Sequence, residues 1–220
     1  TIATLSHHVK NILQGIRGGS YLIEAGLKRD DTDAVRRGWG IVDRNQERIS
    51  NLVMDMLTFS KEREPHRVEA DWNETVADVI ELMSSRAVEY GVELTLCSGD
   101  DLPVAFFDPD AIHQAILNLV TNAIDAVQSD QDSESSDGDD SPAPTGKVRV
   151  ETKYDPAQGW IVDVIDNGPG VSEEDRKRIF SLFESKKGAR GTGLGLPVSA
   201  KILGEHDGEI QILDPPEGNG

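Results

Sequence analysis

The chain has 220 residues, 37% apolar and 28% charged, enough to enclose a core in one large domain or two smaller ones. Its net charge of −18 argues against nucleic acid and anionic membranes as partners, and no apolar run reaches the ~20 residues of a membrane span. The single Cys97 excludes an internal disulfide framework; with no secretory pattern, a cytoplasmic setting is expected, whatever anchor a longer parent protein carries.

Residues 2–28 repeat apolar side chains at Ile2, Leu5, Val9, Ile12, Ile16, Ile23 and Leu27, with Ser20 filling one place. This is the alternating three-four spacing of a helix packed along a seam. "KRDDTD" breaks the pattern and offers Thr32 or Asp33 as an N-cap. A second series follows at Val35, Trp39, Val42, Ile49, Val53 and Met56, with Gln46 in the remaining slot. Two long helices and a short polar turn predict an antiparallel hairpin. A lone hairpin has little core, so residues 1–62 are expected to pair with a second copy as a four-helix bundle, making a homodimer.

"KEREPH" (61–66) ends the helix at a proline and leads into a second domain, 63–220. "WNETVADVIELMSSRAVEYG" reads as a helix closed by Gly91, "VELTLCS" as a strand, and "DPDAIHQAILNLVTNAIDAVQ" as a helix capped by Asp108. "KVRVETKY" and "WIVDVID" alternate as strands around the turn "DPAQG". "PVSAKILGEHDG" is a helix ending near Gly204 or Gly208, and "EIQIL" a last strand. Between them, "SDQDSESSDGDDSPAPTG" (129–146) is acidic, of low complexity, and read as a flexible insertion. The expected class is α+β: a helical hairpin, then an α/β sandwich whose mostly antiparallel sheet carries helices on one face.

Three stretches carry chemistry. On helix 108–128, Ile112, Ile116, Leu119, Ala123 and Val127 share the face toward the sheet, while Asn118, Asn122 and Asp125 share another. Carboxamides four residues apart could reach a hydrated metal and its phosphates, or form a solvated stripe. "VIDNGPG" (164–170) runs a strand into Asp166 and two glycines. A buried carboxylate there could accept from an exocyclic amine such as adenine's, although Asn-Gly-Pro-Gly alone is only a turn. "FESKKGARGTGLGLPVSAKI" (183–202) places Gly188, Gly191, Gly193 and Gly195 among Lys186, Lys187 and Arg190, then opens a helix. That combination suits phosphate, or a hinge, but has neither dinucleotide-fingerprint nor Walker spacing.

The order "NLVTNAIDA", "DNGPG", "IFSLFESK", "GTGLGL" resembles the nucleotide-binding domain of sensor histidine kinases, and "LSHHVKNILQ" upstream resembles that family's phosphoacceptor helix. The resemblance spans nearly the whole chain and points to the wider ATPase group of gyrase and the Hsp90 chaperones. It implies ATP and Mg2+ as cofactors, autophosphorylation on His7, and transfer to an aspartate of a response-regulator receiver domain. It makes Asn122 the metal ligand, Asn118 its helix-mate near the phosphates, and Asp166 the adenine partner. Gly168 and Gly170 would line the base pocket, and Phe180 and Phe183 anchor a lid. Gly191, Thr192, Gly193, Leu194 and Gly195 would shape the phosphate end, with Lys186 or Lys187 reaching the terminal phosphate.

Imidazole suits the acceptor role because its ordinary pKa of about 6.5 leaves a neutral nitrogen at pH 7. At position 8 the commonest family members carry Asp or Glu to orient the ring; here His8 could serve in neutral form or be simply solvated. Adjacent helical residues diverge by ~100°, so His7 and His8 do not make a metal pair. Asn11, one turn beyond His7, matches the position implicated in dephosphorylating the partner. His66, His113 and His206 are given no catalytic role. Two other functions are weighed. A gyrase- or Hsp90-type clamp ATPase carries a glutamate where Asn118 stands, and an amide cannot be that base. A catalytically silent nucleotide-binding module is the other. Relatives also commonly continue past "PPEGNG" into a closing strand, so either a fragment or an incompletely ordered end is expected.

Overall fold

The computed structural model describes residues 2–60, 64–134, 146–176, 178–183 and 192–213. The chain divides into two compact units, Thr1–Glu62 with Arg178–Val198, and Arg63–Lys177 with Ser199–Gly220.

The first unit is built on α1 (Ile2–Arg29) and α2 (Thr32–Ser60), packed against each other along their length. The turn between them starts with Asp30 at φ 56°, and the N-cap is Asp31 rather than Thr32 or Asp33. Its Oδ1 accepts from Ala34 N at 2.9 Å while its own N–H closes α1 on Gly26 O at 2.9 Å. Thr32 is already the first helical residue, so the capping bond comes from Asp31 just before it.

The contact between the two helices differs from the apolar stripes. Its buried members are Ile12, Gly19 and Gly26 on α1, and Ala34, Gly38, Asn45, Leu52 and Asp55 on α2. A Cβ on Gly19 would lie 2.7 Å from Gly38 O, and one on Gly38 would lie 2.7 Å from Gly19 O, so the backbones approach where neither has a side chain. Asn45 fills the space over Gly15 and satisfies its amide on Ile41 O at 2.7 Å. Trp39 (62% exposed), Val53 and Met56 of the second apolar series are exposed, as are Leu13, Tyr21 and Leu57.

In the second unit, β2 (Val92–Cys97), β4 (Gly146–Asp155) and β5 (Gly159–Asp166) form a sheet in the order β2-β4-β5. β4 and β5 are an antiparallel hairpin, while β2 and β4 run parallel, which requires the crossover that α4 (Pro109–Glu134) supplies. The hairpin turn is set by Asp155, whose Oδ1 accepts from Ala157 N and Gln158 N, and by Gly159 at φ 87°. A short antiparallel pair, β1 (Val68–Ala70) with β3 (Ala105–Phe107), adds strands absent from the sequence reading.

Helices α3 (Trp72–Glu89) and α4 pack on each other and on the sheet. The core joins Val76, Val79 and Met83 of α3, Ile112, Ile116, Val120, Ile124 and Val127 of α4, and Val148 and Val150 of β4. Leu119 is only half-buried; Val120 and Ile124 take the sheet-facing places beside it. α4 runs on to Glu134, into the acidic segment.

Asp108 anchors the start of α4 from three sides. Its Oδ1 caps Ala111 N at 3.1 Å, its Oδ2 accepts from His66 N at 2.9 Å, and its own N–H donates to His206 Nε2 at 3.0 Å. His206 therefore carries its proton on Nδ1, which donates to Ile202 O at 2.8 Å. α6 (Gly195–Glu205) begins two residues before the expected "PVSAKIL", and its buried Ser199 donates to Ala115 O at 3.1 Å. After it, among the described residues, "EIQIL" forms no strand and has no ladder partner, and so short an alternation does not stand alone. α5 (Glu173–Arg176) is a single turn after the glycine loop. Among the described residues, no helix is long and apolar enough to cross a membrane.

Candidate active site

Near the start of α1, His7 is exposed and His8 half-buried, their rings edge-on with centroids 6.5 Å apart. Burial, and then the neighbouring charge of His7, lower the His8 pKa below the usual histidine value. The accessible ring is His7. Asn11, one turn on, is half-buried.

Also in the first unit, Phe180 and Phe183 are half-buried, and Phe183 sits at φ 65°. Its N–H donates to Gly193 O at 2.9 Å, which ties together the two ends of the glycine-rich loop. Gly193 takes φ 65°, Leu194 N donates to Thr192 Oγ1 at 3.3 Å, and Leu194 is buried. Gly195 then opens α6, with its first-turn N–H groups directly after the loop. Lys186, Lys187 and Gly191 lie outside the described residues.

The Thr192 side chain hydrogen-bonds a group that the sequence reading passed over, Asp55 of α2. Burial pushes the Asp55 carboxyl up to about 6, and the Thr192 bond partly offsets that rise. The visible signal was a lone carboxylate inside "LVMDMLTF".

In the second unit, Asn118, Asn122 and Asp125 are all half-buried on α4, the first two a single turn apart. Asp125 is paired with Arg86 of α3 at 3.3 Å, and that guanidinium lies over the Tyr90 ring at 5.3 Å. Asp166 ends β5 and is exposed rather than buried. As the last residue of the ladder, it accepts at Oδ1 from Gly168 N at 2.9 Å. Asn167 pins the loop to β4 by exchanging hydrogen bonds with Lys147.

A Cβ on Gly168 would fall 2.8 Å from Asp166 Oδ1 and 3.3 Å from the Ala126 carbonyl carbon, so glycine is what lets this loop lie against α4. The contact falls one turn after Asn122 on α4. Gly170 follows at φ 71°, open around its Cβ position. Hence Asn118, Asn122, Asp166, Gly168 and Gly170 belong to one unit, while His7, His8, Asn11, Phe180, Phe183 and Thr192–Gly195 belong to the other.

The donor set fits a cation that arrives with phosphates. Among the described residues no three His, Cys, Asp or Glu side chains gather as a protein-only metal cage. Mg2+ is commonly held by one or two protein oxygens plus phosphate and water, which Asn122 can serve.

The family model described as histidine kinase-, DNA gyrase B-, and HSP90-like ATPase matches residues 107–220. The chain is 31% identical over 222 residues to the sensory histidine kinase/phosphatase NtrB of Rhizobium leguminosarum bv. phaseoli, covering 95% of this chain and 53% of that protein. Full-length ShkA, solved in complex with AMPPNP, matches 92% of this chain and 40% of its own at 26% identity and a TM-score of 0.62. ThkA, solved in complex with the response regulator protein TrrA, shares the fold over 94% of this chain and 57% of its own, at 23% identity and a TM-score of 0.63. The chain belongs to this histidine kinase-, DNA gyrase B-, and HSP90-like ATPase family. It spans about half the length of the NtrB protein that it matches.

Proposed function

We propose that the chain binds Mg·ATP in its second unit, phosphorylates His7, and passes the phosphoryl group to an aspartate of a response-regulator receiver domain. The observation that carries this reading is the close approach at Gly168, which seats the loop after Asp166 against the helix that bears Asn118 and Asn122, in a chain that also bears an exposed acceptor ring at His7. Asp166 accepts from the adenine amine, and Asn118 and Asn122 meet the phosphate end. Mg2+ bound with the nucleotide neutralises phosphate charge.

A neutral nitrogen of His7 attacks the γ-phosphorus in line. The N–P bond forms as the bond to the β–γ bridging oxygen breaks, and ADP leaves. His8, whose pKa burial lowers, favours the neutral form beside the attacking ring. The exposed apolar side chains Trp39, Val53, Met56, Leu13 and Leu57 suit a homodimer through residues 1–62, with 63–220 as the catalytic domain and 129–146 as an acidic insertion. ATP as substrate suits a cytoplasmic location. A second reading, dephosphorylation of the same regulator, is favoured by Asn11 one turn from His7 and by the kinase/phosphatase name of the NtrB relative.

The test is incubation with Mg2+ and γ-labelled ATP. Acid-labile, alkali-stable label that is lost in His7→Ala and kept in His8→Ala supports the reading. Steady phosphate release without labelled protein favours a clamp ATPase instead.

A further inference from the structure

The ribbon of β1 and β3 ends at the pair Ala70 and Ala105, and there the two chains part, one turning into α3 and the other arriving from β2. Between them lies a cleft of about 380 Å³, lined by Glu69, Asp71 and Trp72 of the first chain and by Asp101, Leu102 and Val104 of the second. Three of its lining side chains are carboxylates, and none is Lys, Arg or His. The walls are held from behind. Asn73 Nδ2 donates to Gly99 O at 3.0 Å, Gly99 N to Thr152 Oγ1 at 2.9 Å, and Trp160 Nε1 to Pro103 O at 2.9 Å, so the loop 99–103 is fixed at both ends. Asp71 Oδ1 accepts from Glu74 N at 3.0 Å and fixes the start of α3.

One group in the lining is left over. Trp72 is only 9% exposed, its ring edge-on to Phe107 at 5.2 Å, and its buried Nε1 has no hydrogen-bond partner. A buried donor without an acceptor costs free energy, so an occupant that brings an acceptor is favoured. That acceptor must be neutral, because the carboxylates repel an anion, and the rest of the occupant gains by being cationic. Val104 in the wall is 63% exposed, and Phe106, two residues on and opposite Glu69 in the ladder, is 68% exposed. They set apolar surface beside the carboxylates. A peptide carbonyl, a basic side chain and an apolar neighbour answer all three demands together.

We propose that this cleft is a docking site for a protein partner, taking a segment in which Lys or Arg stands beside an apolar residue. The cation meets Glu69, Asp71 and Asp101, a backbone carbonyl accepts from Trp72 Nε1, and the apolar side chain lies on Val104 and Phe106. The site shares no residue with those assigned to nucleotide binding and phosphoryl transfer, and it does not depend on that reading.

The test uses the whole chain, labelled with nitrogen-15 at its three tryptophan indoles, and as probe the acetylated, amidated peptide GLRLKG. The charge-reversed peptide GLELEG is the control. Trp39→Phe and Trp160→Phe assign the three indole resonances. Adding GLRLKG should shift the Trp72 indole saturably and leave the Trp39 indole in place, and GLELEG should shift neither. Affinities follow from calorimetry, with circular dichroism to check folding. Asp101→Asn combined with Glu69→Gln should weaken GLRLKG about 4- to 20-fold, two partly exposed ion pairs at roughly two- to fivefold each. Asparagine suits position 101, where φ is 50°. Trp72→Phe keeps a ring without the donor and should weaken the peptide about fivefold. Should that variant not fold, the pair of exposed carboxylates decides.

No saturable shift at millimolar GLRLKG, an equal shift with GLELEG, a like shift of all three indoles, or unchanged affinity in either folded variant would overturn the proposal. So would arginine amide binding as tightly as the peptide, which would mark a pocket for small amines instead of a docking surface.

Discussion

Gly18 and Gly19 are neighbours in α1, yet substituting each by alanine should move stability in opposite directions. Nothing lies within 4 Å of a Cβ on Gly18, so Gly18→Ala receives the helix-propensity gain of about 1 kcal/mol. A Cβ on Gly19 would lie 2.7 Å from Gly38 O, 2.8 Å from Val42 Cγ2 and 3.1 Å from Ile41 Cγ2. The first of these is backbone and cannot turn aside, so the helices must separate. Overpacking of this kind costs ~1–3 kcal/mol and outweighs the same propensity gain in all but the mildest case. The two variants should therefore differ by about 1–3 kcal/mol, Gly18→Ala above the parent chain and Gly19→Ala below Gly18→Ala. Urea unfolding followed by helical circular dichroism reads this difference directly. Equal stabilisation by both substitutions would show that the helices do not cross at Gly19 and Gly38.

Asp55, raised to about 6 against 3.8 unfolded, holds its proton in the folded chain where the unfolded chain has lost it. Its contribution to stability is complete below about pH 4 and lost as pH rises through about 6. Asp55→Asn should thus gain on the parent chain by on the order of 2–3 kcal/mol between pH 4 and pH 8, and an unchanged pH slope would contradict this. Thr192→Val removes the bond that partly offsets the burial, so the Asp55 carboxyl should titrate above about 6 when followed by carbon NMR; a downward move would contradict the contact. Asn122→Ala should lower Mg2+-dependent labelling by at least ~100-fold, with folding unchanged by circular dichroism. Asp166→Asn should weaken ATP binding by about 10- to 100-fold, the worth of a hydrogen bond to a charged group, while near-native affinity would move the base elsewhere.

Long periodic elements were legible because their burial pattern repeats many times. The hairpin helices, α4 with its Asp108 cap, and the β4–β5 hairpin follow that rule. The face on which α1 meets α2 was not legible. Its closest contact is made by Gly19 and Gly38, and glycine adds nothing to an apolar stripe, so the stripe through Trp39 and Val53 marked the outward side instead. β1 and β3, at three residues each, carry too little alternation to register, and "EIQIL" shows the converse, a pattern without a ladder.

At the site, the motifs named Asn118, Asn122 and Asp166, but why residue 168 must be glycine appears only when Ala126 is seen against it. Asp55 and Thr192 are far apart in sequence, and their contact has no local signature.

The most direct measurement is the position of the phosphoryl group after a brief exposure to Mg·ATP, read by tandem mass spectrometry at alkaline pH, where phosphohistidine survives. The account predicts the added mass on His7 alone. Phosphate on His8, on a hydroxyl side chain, or on no residue while ADP accumulates would contradict it.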